Sequence, residues 1–493
     1  MRFAIVGVLV HPSAKGDYVA HAIVWMRNDL RLRDNPALQA AIQHGLDPIP
    51  VYIHSPEEEG EWACGAAACE WLRHSLAALQ SQLQARGSNL ILRRGACADV
   101  LQGLVDQLAI KAIFWNRKFE SAARDAAIKS RFRQQGLHVA SFHANTLLQP
   151  HQLLNRQDKP FRVFTPFWRA AMESLSLPQL SPAPDRLPAL PAAISAEDIA
   201  SCLGNKPSIP WDRSFWDEWQ PGEEGAWQAL HRFIDEAVSQ YHQQRDFPDR
   251  RGTSRLSPHL RFGEVSPARV YAQIQARSAI LPCKDSEAYI RQLGWREFGY
   301  YLLYHFPFSS MRNLDRRFDS FAWEKPQPAL LTAWQRGRTG VPIIDAGMRE
   351  LWQTGWMHNR VRMITASYLC KHLRIHWIHG ARWFWETLVD ADLANNTLGW
   401  QWVAGTGVDA APYFRVFNPL LQAERFDSKA AYIVRWLPEL APLPLQQRFA
   451  PWKDPEQLKR VAPRYPSQPI IDLDRGRQAA LDAYAKISRS ASS

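Results

Sequence analysis

The sequence contains no Cys-x-x-Cys pair and no cysteine spacing suited to zinc; its six cysteines, Cys64, Cys69, Cys97, Cys202, Cys283 and Cys370, stand apart. They read as reduced thiols of a cytosolic protein and not as a disulfide framework. Long apolar runs are also lacking after residue 20, whereas a membrane-spanning helix needs about 20 consecutive apolar positions. No membrane span is expected. The first strand-like run is followed by Arg27-Asn-Asp-Leu-Arg and not by a glycine fingerprint, so no dinucleotide is expected on that turn. Acidic residues are in deficit, 48 Asp and Glu against 59 Lys and Arg, for a formal charge of +11. Such a field steers polyanions, although many basic proteins bind no nucleic acid.

Hydrophobic residues make up 46% of the 493 positions, which suits a globular chain of two or three domains. Tryptophan is in excess: 16 of the 21 indoles lie after residue 200. Trp favours helix interfaces, but packing alone does not require the clustering. Residues 1–20 carry an apolar run, Phe3-Ala-Ile-Val-Gly-Val-Leu-Val10, that imitates a signal peptide. Cleavage after it would cut into the first strand, so an N-terminal extension is expected. From 21 to 150, short runs at 22–25, 49–53, 90–92, 112–115 and 139–142 alternate with helix-length segments such as 61–86. That rhythm predicts an α/β domain whose parallel five-stranded sheet is covered on both faces. Residues 151–214 form an expected interdomain linker, because seven prolines between Pro178 and Pro210 exclude long helices. From 215 to 493 the helical period dominates and predicts a larger all-helical domain, with helices over 223–241, 267–276, 286–304, 347–352, 358–372 and 380–389.

Chemistry concentrates between residues 354 and 427. On a helix Asn359 and Met363 share a face at i and i+4, with Arg362 beside them. A polar amide next to a soft thioether makes an adaptable wall for a base-like ligand; equally, Asn359 suits a cap and Met363 a core. The run Asp390-x-Asp392-x-x-x-Asn396 suits helix capping, and no His or Cys at ligand spacing accompanies it, so no metal is expected. The turn Gly252-Thr-Ser-Arg-Leu-Ser257 offers hydroxyl and backbone donors to a diphosphate, or a plain cap before Pro258. Gln292 and Trp295, at i and i+3, share another helix face.

Several runs together carry a family resemblance: Trp-Met-His-Asn-Arg at 356–360, Asp-Ala-Asp-Leu-Ala-Asn-Asn at 390–396, Gly-Trp-Gln-Trp at 399–402 and Asp-Ala-Ala-Pro-Tyr-Phe-Arg-Val-Phe-Asn-Pro at 409–419. With Gln243-Gln-Arg-Asp-Phe-Pro248, Gly294-Trp-Arg-Glu-Phe298 and Ile23-Val-Trp-Met-Arg-Asn-Asp-Leu-Arg-Leu32, the chain resembles the DNA photolyase and cryptochrome family. It is most similar to the bacterial enzymes that repair cyclobutane pyrimidine dimers. The resemblance implies an FAD held by Tyr241, Thr253, Ser254, Arg255, Leu256, Ser257, Tyr289, Arg362, Asp390, Asp392 and Asn396. Asn396 would face the reactive flavin nitrogen, where an amide can accept from a protonated N–H. It also implies an electron relay through Trp400, Trp377 and Trp323, each of which by itself reads as core. The lesion would be met by Gln292, Trp295, Asn359, Met363 and Trp402. Arg245, Arg360 and Gln422 would contact the DNA strand, although Arg245 and Asp246 also suit a structural ion pair. The first domain would be an antenna domain for methenyltetrahydrofolate or 8-hydroxydeazaflavin, with Asn116 and Glu120 resembling folate contacts.

One position departs from the pattern. Dimer photolyases typically carry Glu where this chain has Gln292, and the enzymes for the (6-4) photoproduct often carry Gln there. Those enzymes also need a histidine-rich segment where this chain has 359–363, so cyclobutane-dimer repair is expected. A cryptochrome photoreceptor is the alternative, disfavoured because the chain ends shortly after 479–487. A light-independent flavin oxidoreductase is disfavoured because no glycine-rich nicotinamide site is present. UV-damaged DNA is the expected partner of a monomer located in the cytoplasm, at the nucleoid when bound to DNA.

Overall fold

The computed structural model describes residues 20–195, 197–277, 283–409 and 414–489. The extension expected over 1–20 falls, apart from Ala20, outside the described residues, as does part of the 409–419 run. Five strands, β1 (His21–Met26), β2 (Asp47–His54), β3 (Ile91–Arg94), β4 (Ile110–Asn116) and β5 (His138–Phe142), pair in parallel in the order β3-β2-β1-β4-β5. Successive side chains alternate faces along a strand. Ala22, Val24 and Met26 therefore pack with Leu38, Trp71 and Leu76 on one side, while Ile23 and Trp25 pack with Leu101, Ile128 and Phe132 on the other. The five strands match the expected runs, with ends shifted by up to two residues.

Strand order reverses between β1 and β4, and the crevice beyond their ends is filled by the chain itself. Arg27 pairs with Asp125 at 2.6 Å, and Asn116 donates to Asp29 at 2.6 Å and to Asn35 at 2.8 Å. Asn116 is 1% exposed. Both of its amide hydrogens are used inside the domain, while its Oδ1 and the Oε2 of half-buried Glu120 are buried without a partner.

The linker divides in two. Its proline-rich part runs along the α/β domain, Leu187 donating its N–H to the Arg86 carbonyl and Ser181 to the Asp34 carboxylate, both at 2.8 Å. The part before it contains helix α1 (Phe164–Ser174), whose Phe164 and Phe167 are buried against Phe298 and Tyr301 of the helical domain. Pro166 lies in its first turn, where a missing N–H costs nothing.

The helical domain contains α2 (Ser257–Phe262), α3 (Cys283–His305), α4 (Asn359–Ser367), α5 (Trp377–Thr387), α6 (Leu393–Ala404) and α7 (Pro419–Phe426) among others. Two expected helices are interrupted. The 223–241 segment is α-helical only over Glu223–Arg232 and passes through a π-turn at Phe233–Ala237 and a 3₁₀ turn at Val238–Gln240. Likewise α4 gives way to a π-turn at Tyr368–His372. A π-turn is a single i→i+5 turn inserted within a helix, too short for the apolar pattern to reveal. The two domains share apolar contacts, and Trp71 of the first donates to Glu264 of the second at 3.0 Å.

Candidate functional site

A cavity of about 560 Å³ opens among α3, α4, α6, the turn before α2 and Tyr241. That volume suits a cofactor-sized ligand. Two close approaches place its walls. Gly294 lets α3 meet α1, since a methyl there would stand 2.7 Å from the Trp168 ring. Gly380 of α5 does the same for α6, where the Trp400 ring would lie 2.1 Å from such a methyl.

The buried end of the cavity is polar and tightly held. Arg362 grips one oxygen of Asp390 at 2.8 Å, and the other oxygen is buried with no partner. Asp392 is the N-cap of α6, accepting from the Asn395 N–H at 2.8 Å, and it also accepts from the Tyr300 hydroxyl. The capping reading of this run and its place on the cavity wall are therefore both true. Arg261 donates from Nε to the Ala391 carbonyl at 2.5 Å, while its Nη1 is buried without a partner. Burial opposes the charges of Arg261 and Arg296, but Asp392 and Tyr300 beside Arg261, and Tyr300, Glu297 and Asp392 beside Arg296, outweigh it and raise both guanidinium pKa values. Asn396 donates from Nδ2 to the Ala381 carbonyl at 3.0 Å, so its oxygen is the group left for a ligand.

The hydroxyl turn also lines the cavity through Thr253, Ser254, Leu256 and Ser257. The Tyr289 hydroxyl donates to Ser254 at 3.1 Å, and burial pushes that hydroxyl's pKa upward. Ser257 accepts from the Trp356 indole at 3.2 Å. Arg255 does not line the cavity, a correction to its expected role. Its backbone is left-handed at φ 54°, and its guanidinium turns away to pair with Glu218 at 2.8 Å over the ring of Trp219.

Toward solvent the same cavity is lined by Gln292, Trp295, Asn359, Met363 and Trp402, the set that the family resemblance implied. Asn359 contacts the Met363 sulfur at 3.8 Å, as i,i+4 geometry requires. The cap of α4 is His358, not Asn359: its ring accepts from the Arg360 N–H at 3.2 Å. Gln292 donates to the Ala288 carbonyl at 3.4 Å within its own helix. Arg245 lines the cavity, its guanidinium 5.8 Å from the Tyr241 ring centre. Asp246 pairs with Arg360 at 2.8 Å and not with Arg245. Arg360 thus has its charge matched internally, its guanidinium lying over Phe426. Gln422 sits half-buried on α7 and does not line the cavity. Arg360 nevertheless lines the cavity, as Arg245 does.

The three relay candidates run outward. Trp400 lines the cavity and is 2% exposed, Trp377 at the start of α5 is wholly buried, and Trp323 is half-buried. His376 lies 5.0 Å from the ring of Trp323 and 5.4 Å from that of Trp377. Sequence reasoning missed Arg261, Arg296 and Asn395 on the cavity wall. The only signal for Arg296 was its place within Gly294-Trp-Arg-Glu-Phe298.

An unpartnered carboxylate oxygen on Asp390, an unpartnered N–H on Arg261, a hydroxyl-rich turn and open space at Gly399 suit FAD, with its amide edges, hydroxyls and phosphates. Among the described residues no group of three or more potential ligands suits a metal ion, and no helix is long and apolar enough to cross a membrane. Residues 289–486 match the family model for the FAD binding domain of DNA photolyase, and 22–191 the model for DNA photolyase. The deoxyribodipyrimidine photo-lyase of Agrobacterium fabrum is 43% identical over 478 residues, covering 95% of this chain and 98% of that protein. Cryptochrome-1 of Arabidopsis thaliana is 35% identical over 490 residues, covering 94% of this chain and 70% of that one. The crystal structure of a bacterial class III photolyase from Agrobacterium tumefaciens superposes with a TM-score of 0.91 at 42% identity, covering 97% of this chain and 99% of the other. On motifs, fold and cavity alike, the chain belongs to the DNA photolyase and cryptochrome family.

Proposed function

We propose that the protein repairs cyclobutane pyrimidine dimers in DNA with light. The observation that carries this reading is one continuous cavity with two ends. Asp390 and Asp392 are buried at one end, while Gln292, Trp295, Met363 and Trp402 are half-buried and Asn359 is exposed at the other. A flipped lesion entering from solvent would thus approach the place where a flavin is held.

When bound, reduced FAD supplies under blue light the electron that opens the cyclobutane ring and takes it back afterwards. The chain's own residues position the reactants. Asp390, Arg362, Thr253, Ser254 and Ser257 would hold and orient the cofactor, and the Asn396 oxygen would accept from a flavin N–H. Trp295 and Trp402 offer ring faces to the pyrimidines, Gln292 offers an amide to their carbonyl and imide edges, and Met363 and Asn359 close the wall. Arg245 and Arg360 on the cavity wall, with Gln422 of α7, would contact the strand. The site acts in the cytoplasm on UV-damaged DNA as a monomer, and the first domain holds methenyltetrahydrofolate or 8-hydroxydeazaflavin as antenna.

The decisive experiment measures repair of each lesion separately, under blue light, by pre-reduced protein. Restoration of cyclobutane dimers in light and not in darkness is the expected result. Activity confined to the (6-4) photoproduct would transfer the site to that lesion, the reading Gln292 favours. Binding without repair of either would favour a photoreceptor, a reading supported by the 35% identity to cryptochrome-1.

A further inference from the structure

Two aromatic walls of the cavity, Trp295 on α3 and Trp402 on α6, are held by one acidic residue that lines neither helix. Trp295 lies flat on Phe164, ring centres 3.8 Å apart and planes 7° from parallel. One face of the indole is therefore committed, and the guanidinium of Arg291 also lies over Phe164 at 4.6 Å. Phe164 is the first residue of α1, so its N–H has no acceptor within the helix. The preceding residue, Val163, has no side chain to cap it. The Asp409 carboxylate supplies the acceptor from the loop after α6, Oδ2 receiving the Phe164 N–H at 3.4 Å. A negative charge there also suits the helix N-terminus. The Asp409 carbonyl meanwhile accepts the Trp402 indole N–H at 3.1 Å. Its backbone is left-handed, φ 52°, a conformation that Asp adopts more readily than most residues.

We propose that Asp409 is a positioning residue that fixes the spacing between Trp295 and Trp402, and so the width of the slot that admits a flipped pyrimidine pair. The proposal deepens the repair reading and rests on it for the identity of the ligand. Its carboxylate acts on Trp295 through Phe164, its carbonyl acts on Trp402, and a single loop residue keeps the two in register.

Asp409→Gly isolates the carboxylate, because glycine keeps the left-handed backbone and the carbonyl at no steric cost. Asp409→Asn retains a side-chain acceptor. Two readouts are taken on each full-length, flavin-loaded protein: affinity for dimer-containing against undamaged oligonucleotide, and ¹⁹F resonances of fluorotryptophan at 295 and 402. The expected result is a loss of lesion preference of about tenfold in Asp409→Gly, with affinity for undamaged DNA unchanged. Both fluorine resonances shift or broaden, the one at 402 because without its carboxylate anchor the loop residue no longer holds its carbonyl in place, and Asp409→Asn stays near wild type. Unmoved resonances in Asp409→Gly, or equal damage by both substitutions, overturn the proposal. If the wild type shows no lesion preference, the repair reading fails; the fluorine resonances then decide the Asp409 bracket, supporting it if both move only in Asp409→Gly and overturning it otherwise.

Discussion

Arg362 of α4 holds one oxygen of Asp390 at 2.8 Å and leaves the other unpartnered on the cavity wall. A buried carboxylate oxygen without a donor costs more than any single hydrogen bond returns, unless a ligand supplies the missing proton. Asp390→Ala should therefore weaken FAD retention roughly 10- to 100-fold. Flavin absorbance per protein after dialysis reads it, and retention at the wild-type level would remove Asp390 from the cofactor site.

Trp400 and Gly380 touch, so the relay can be disturbed from either side. Trp400→Phe should block photoreduction of oxidised flavin while repair by chemically pre-reduced protein continues. Gly380→Ala, whose methyl would stand 2.1 Å from the Trp400 ring, should slow photoreduction and destabilise the fold by about 1–3 kcal/mol. Equal loss of photoreduction and pre-reduced repair in Trp400→Phe would end the relay assignment.

Gln292→Glu is nearly isosteric, so its effect reports on hydrogen bonding and charge. If the lesion is a cyclobutane dimer, repair yield is kept or raised. A fall in dimer repair accompanied by wild-type repair of the (6-4) photoproduct is the contrary outcome.

Acid should destabilise the fold through buried histidines. Burial pushes His143, His358, His372 and His376 down to about 4, below the ordinary value of 6.5. The unfolded chain takes up protons first, so this contribution is intact above pH 6.5 and is lost as pH falls from there toward 4. Buried Glu297 and Glu350, each pushed up to about 7, act oppositely and cost stability as pH rises from 4.5 to 7. His358→Asn keeps an α4 cap that does not titrate. Thermal unfolding across this range should show a shallower acid limb for it than for wild type; an identical limb would exonerate His358.

Affinity for lesion-containing DNA should fall steeply with added salt, since cations meeting phosphates release counterions. Because Arg360 is already paired with Asp246, Arg360→Gln should change the salt slope less than Arg245→Gln. Titrations at several ionic strengths compare the two, and the reverse order would make Arg360 the stronger strand contact.

Much of the site was legible because it is built from local geometry. The Asn359 and Met363 contact follows from helical spacing, and the five strands follow from runs such as 22–25 and 112–115 that bury both sheet faces. The interruption at Phe233–Ala237 was hidden because a single π-turn is too short to stand out in the apolar pattern. Arg261 and Arg296 were missed because an arginine in an apolar helix reads as surface until Tyr300 and Asp392 are brought beside it.

The sequence by itself determined the α/β and helical halves and the sheet, because short-range periodicity and turn chemistry act within a few residues, while most of the expected cavity residues came from the family resemblance of its motifs. Only the tertiary structure decided which partner each charged group takes. Asp246 chose Arg360 over its neighbour Arg245, Arg255 left the cavity for Glu218, and Asp409 met a helix start 245 residues away. Those choices depend on which helix ends and loops packing brings together, and a carboxylate responds to whatever donor lies within about 3 Å.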